Sequence, residues 1–85
     1  MASKKTLKKS LNNMVFDIVE ECFSIQLWAP EKSAQAETII DDAADFQDQM
    51  LEKINSAKSK KDFKPIREQL ENSAVTFIEK LNNLN

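Results

Sequence analysis

Side chains able to do chemistry are scarce in this chain of 85 residues, which has one cysteine and no histidine, tyrosine or glycine. Cys22 has no histidine to take its proton and falls between Ile18 and Ile25 on an apolar stripe, so it reads as a small core side chain. Ser24 and Ser33 lack a general base for the same reason. Glu20 and Glu21 are adjacent, so on one helix they diverge by about 100° and cannot converge on a substrate as an acid/base pair. Glu37, Asp41, Asp45, Asp48 and Glu52 share an outer helix face that in principle could hold a hard cation. Helical metal clusters draw ligands from more than one helix, and di-iron bundles add a Glu-x-x-His that this chain cannot supply, so a solvated acidic face is expected. Phosphate loops built on a close glycine backbone are excluded by composition. The expectation is a non-enzyme with no catalytic residue, metal or cofactor.

The elements that must position these residues are helices. With no glycine and only two prolines, tight hairpins are disfavoured and long helices with short links are expected. Apolar residues recur at three-and-four spacing through Leu7, Leu11, Met14, Val15, Ile18, Cys22 and Ile25, which predicts a first helix over about 3–28. Pro30 disfavours helical geometry at Ala29 and suits the first turn of a second helix, expected over about 30–57 with Ala36, Ile39, Ile40, Ala43, Phe46, Met50, Leu51 and Ile54 on one face. A polar link, Lys58 to Asp62, precedes a third helix over about 63–83, with Asp62 as N-cap and Pro65 in its first turn. An alternative cap at Ser59 would leave Pro65 deeper in that helix. Its stripe is Phe63, Ile66, Leu70, Ala74, Phe77, Leu81 and Leu84. Helices of similar length and short links favour an all-α, single-domain, up-down-up antiparallel three-helix bundle.

Two surfaces then stand out. On the first helix, Phe16, Val19, Phe23 and Leu27 form a second apolar face, leaving a polar arc of Ser10, Asn13, Asp17, Glu20, Glu21 and Ser24. Either that helix sits deep between the other two, or this face meets a partner, most simply a second copy across a two-fold axis. Self-association is favoured because small chains bury a low fraction of their surface alone. The second surface is electrostatic. The net charge of −2 conceals Lys4, Lys5, Lys8 and Lys9 at the start of the first helix, and Lys53, Lys58, Lys60, Lys61 and Lys64 around the second link. Up-down-up topology puts these nine of eleven lysines at one pole, either merely solvated or a docking site for an anion such as nucleic-acid phosphate. With Arg67 the lone arginine and little aromatic interleaving beyond Phe63, nucleic-acid binding would be weak and non-specific. Trp28, beside the Pro30 break, is expected to plug the end of the bundle rather than stack on a ligand.

The run Glu20-Glu21-Cys22-Phe23-Ser24-Ile25-Gln26-Leu27-Trp28-Ala29-Pro30-Glu31-Lys32, after its lysine-rich start, resembles a group of short bacterial helical proteins with no established activity. The likeness extends through Ile66-Arg67. It implies a cytosolic bacterial origin and carries over no functional residue. A cytoplasmic location also fits the absence of any stretch near the roughly 18 apolar residues of a membrane span, and of an apolar h-region in Met1 to Lys9.

Overall fold

A computed structural model describes residues 4–84 and consists of α1 (Lys4–Trp28), a single 3-10 turn (Pro30–Lys32), α2 (Ser33–Ser56) and α3 (Lys60–Leu84). The chain is an all-α three-helix bundle, elongated to 46 × 17 × 16 Å. Polar contacts fix the direction of each helix. Lys4 at the start of α1 donates to the carbonyl of Asn55 at the end of α2, Gln47 donates to Asn12, and Gln26 donates to the Glu37 carboxylate, so α1 and α2 run antiparallel. Lys53 donates to Gln69, Lys80 pairs with Asp42, and Lys32 donates to the Leu84 carbonyl, so α3 turns back along α2.

Six α1 residues on the expected stripe are buried: Leu7, Leu11, Val15, Ile18, Cys22 and Ile25. They meet Ala36, Ile39, Ala43, Met50 and Ile54 of α2, and Ile66, Leu70, Phe77 and Leu81 of α3. Leu11, Met50, Ile54 and Cys22 are the largest side chains sealed entirely from solvent. Phe46 meets Phe77 edge-on at 5.8 Å between ring centroids, and Lys80 closes the outer side with its ammonium 5.3 Å from the Phe77 ring. Among the described residues no polar or charged side chain is buried, so the core is built from apolar side chains alone.

The links correct two sequence-based boundaries, the starts of the second and third helices. The expected start of the second helix at Pro30 is instead a 3-10 turn, and α2 begins at Ser33. Proline fixes the turn's first residue while Ala29, forced out of helical geometry at φ −135° and ψ 71°, lets the Lys32 amide reach its carbonyl at 2.8 Å. At the other end α2 stops at Ser56, since Ala57 is extended with ψ 134°. The third helix starts at Lys60 rather than near Phe63, and Asp62 is not its N-cap. The Asp62 carboxylate lies in the first turn and reaches back to accept the amides of Lys58 at 2.9 Å and Ser59 at 3.3 Å. This is the carboxylate half of a capping box, with Ser59 in the cap position. Pro65 therefore lies inside α3, where it has no N–H for the Lys61 carbonyl. Neither link uses a positive φ among the described residues. The expected start of the first helix at Ser3 falls outside the described residues.

Two outcomes follow here. Asp62→Ala leaves the amides of Lys58 and Ser59 without their acceptor and is expected to lower stability by about 1 kcal/mol, seen as a fall of roughly 4–8 °C in Tm. Cys22 is sealed, and burial first and the Glu21 carboxylate second push its thiol above the ordinary 9.0. Its contribution to stability is fully present below 9.0 and is lost as pH rises from there through the raised folded value. A thiol reagent at neutral pH should label Cys22 only on the timescale of unfolding, which is checked by adding urea.

Candidate self-association surface on the first helix

Helix arithmetic places the α1 core stripe on one side and Phe16, Phe23 and Leu27 on the other, within an arc of about 40°. The structure leaves those three side chains 66%, 56% and 72% exposed, so α1 does not bury them between its neighbours. Val19 differs. At about 100° from Ile18 it turns toward the flank of α1, is half-buried and packs against the core. Three of the four expected interface residues thus form one outward apolar strip, and the fourth links that strip to the core.

Trp28 does not plug the bundle: it is 82% exposed at the last residue of α1. The end of the core is filled by Ile25, Ala36 and the half-buried Ala29 and Leu84, which leaves no space that an indole must occupy. Trp28 lies about 100° around the helix from Leu27, so it borders the strip rather than extending it. Val75 and Ile78 of α3, 56% and 54% exposed, form a smaller apolar pair outside the expected surfaces. The signal for it was present, because both fall off the stripe formed by Ile66, Leu70, Phe77 and Leu81.

The lysines gather at one end, as the Lys4 bond to Asn55 requires. Lys4, Lys5, Lys9, Lys58, Lys60, Lys61 and Lys64 are exposed and Lys8 is half-buried. Among the described residues, Lys4, Lys5, Lys8 and Lys9 line one shallow depression with Asn12 and Asn13, and Lys60, Lys61 and Lys64 line another with Pro65 and Glu68. Arg67 is engaged by Glu71 at 3.3 Å. On α2, Glu37, Asp41, Asp45, Asp48 and Glu52 are all exposed, and no three described His, Cys, Asp or Glu side chains are grouped to hold a metal ion. No described helix is long and apolar enough to cross a membrane.

No protein-family model, curated protein or solved structure matches the chain. Its own surface is therefore the ground for a functional reading.

Proposed function

We propose that this chain is a cytoplasmic, non-enzymatic interaction module of bacterial origin that pairs with a second copy through α1. The observation that carries the reading is the outward strip of Phe16, Phe23 and Leu27, each more than half exposed on one arc of a helix whose opposite side is fully used by the core. Scattered apolar side chains on a surface are ordinary, but three large ones aligned on one helix form the kind of contiguous patch that marks a contact site. A two-fold axis would use the same strip twice, which makes self-pairing the simplest occupant. Sedimentation equilibrium at tens of micromolar tests it, with a dimer expected. A monomer there, together with Phe23→Glu leaving solubility and stability unchanged, would overturn the reading.

A second reading, accessory association with nucleic acid, draws on the Lys4 to Asn55 contact, which brings the lysines of α1 to the end of the bundle where the second link lies. Lysines supply point charges without base readout, so binding would be weak and steeply salt-dependent. Titration against RNA and DNA should show affinity at low ionic strength that collapses as salt is raised. Absence of any salt-sensitive binding marks the pole as simply solvated.

A further inference from the structure

The apolar strip of α1 lies along a helix whose charge is sharply divided. Residues 4–15 carry four lysines and no carboxylate, and residues 17–31 carry four carboxylates and no lysine or arginine. Lys4 and Lys5 in the first turn run against the helix dipole, and the last turn, Ile25 to Trp28, carries no charge to answer it. Within the chain this division is only partly answered. Lys4 reaches a carbonyl at the end of α2, but the ion pairs among the described residues are Lys80 with Asp42 and Arg67 with Glu71, and none involves α1. Lys5 and Lys9 fall on the same arc of about 40° as Phe16, Phe23 and Leu27, so the outward strip is basic at one end and apolar along the rest. Its far end is bordered by acid: exposed Glu31 follows α1, and Glu37 lies at the α1/α2 seam, where Gln26 holds it, while Glu20 flanks the middle of the strip.

From this charge complementarity we infer that the second copy docks antiparallel, α1 against α1, about a two-fold axis passing between Val19 and Glu20. The inference rests on the self-association reading and gives it an orientation. Phe16 of each chain then meets the partner's Phe23, and the lysine end of each strip lies over the acidic end of the other. Parallel docking would use the same apolar side chains but stack the lysine end of one strip on the lysine end of the other, which costs association and slows encounter. Antiparallel docking also opposes the two helix dipoles favourably.

Single cysteines introduced at exposed positions of the full-length chain separate the cases. Buried Cys22 stays in place, and the unaltered chain under the same mild oxidant is the control. In the antiparallel pair, Glu20→Cys lies next to its own symmetry mate, whereas Lys9→Cys is about 30 Å from its mate, twice the rise from residue 9 to the axis. The expected result is covalent dimer from Glu20→Cys at least tenfold faster than from Lys9→Cys, with unchanged helical circular dichroism for both. Equal or faster cross-linking of Lys9→Cys overturns the antiparallel arrangement in favour of the parallel one. Cross-linking of neither, in variants that still sediment as dimers, overturns it by moving the contact to another face. A chain that sediments as a monomer in all these forms fails at the earlier step and removes the self-association reading itself.

Discussion

Phe16→Glu/Phe23→Glu is expected to sediment as the 9.7 kDa monomer at every accessible concentration and to keep the helical content of the parent chain. The two outcomes come from the same fact, that these rings are 66% and 56% exposed. Covering their remaining apolar surface stabilises association by roughly 1–1.5 kcal/mol per ring, about half of what full burial of such a side chain contributes. A two-fold interface counts each ring twice, which gives roughly 4–6 kcal/mol before Leu27 is added. That sum does little more than offset the low end of the cost of association, so pairing also draws on Leu27 and on charge, and is sensitive to any change in the strip. Replacing four rings by four carboxylates removes that gain and forces like charges into an apolar contact. A loss of at least a hundredfold in dimer affinity should result. The fold should survive, because glutamate is at least as good a helix former as phenylalanine and neither ring belongs to the core. A further readout follows from mass action. The melting temperature of the parent chain should rise with protein concentration, and that of the double variant should not.

The other large effect concerns the core. Leu11→Ala is expected to cost about 3 kcal/mol, because Leu11 has no solvent exposure and belongs to the core shared by the three helices, so its removal costs both transfer free energy and a cavity. For a domain of this size that corresponds to a fall in Tm on the order of 15 °C. Small chains have little stability in reserve, so such a variant should be partly unfolded at physiological temperature. Leu27→Ala, the same chemical change on the same helix, should move the monomer's Tm by no more than a few degrees, since Leu27 is 72% exposed. Urea and thermal melts of both at low concentration check the contrast. Equal effects would mean that the division of α1 into a buried and an outward side is wrong.

That division was legible in the amino-acid sequence, because a helix turns its residues by a fixed angle and the apolar residues of α1 form two groups under that angle. What arithmetic on one helix does not contain is which group the neighbours cover. Val19 and Phe23 both belonged to the outer group, yet α1's neighbours half-bury the first and leave the second 56% exposed. Trp28 failed as a plug for the same reason, since the fate of a bulky side chain at a helix end depends on what the other helices place beside it. The start of α3 was misplaced for a local cause. An aspartate can serve as its own cap or reach back from the first turn, and both uses leave the same residue types at nearly the same spacing. Pro65 favoured the first, but the carboxylate bonds to Lys58 and Ser59 select the second. The acidic face of α2 and the lysine-rich end were legible from charge alone.

Both links turn without any described residue at positive φ, in a chain that has no glycine at all. A chain of this length and average composition would carry roughly six glycines. Each compatible replacement of glycine by a residue with a Cβ narrows the unfolded ensemble and adds about 0.4–1 kcal/mol. Set against such an average chain, the disordered form of this one is poorer in conformations by an amount equivalent to roughly 2–6 kcal/mol. A share of what holds this narrow bundle together is therefore located in no contact of the folded protein, but in the restricted freedom of the chain it folds from.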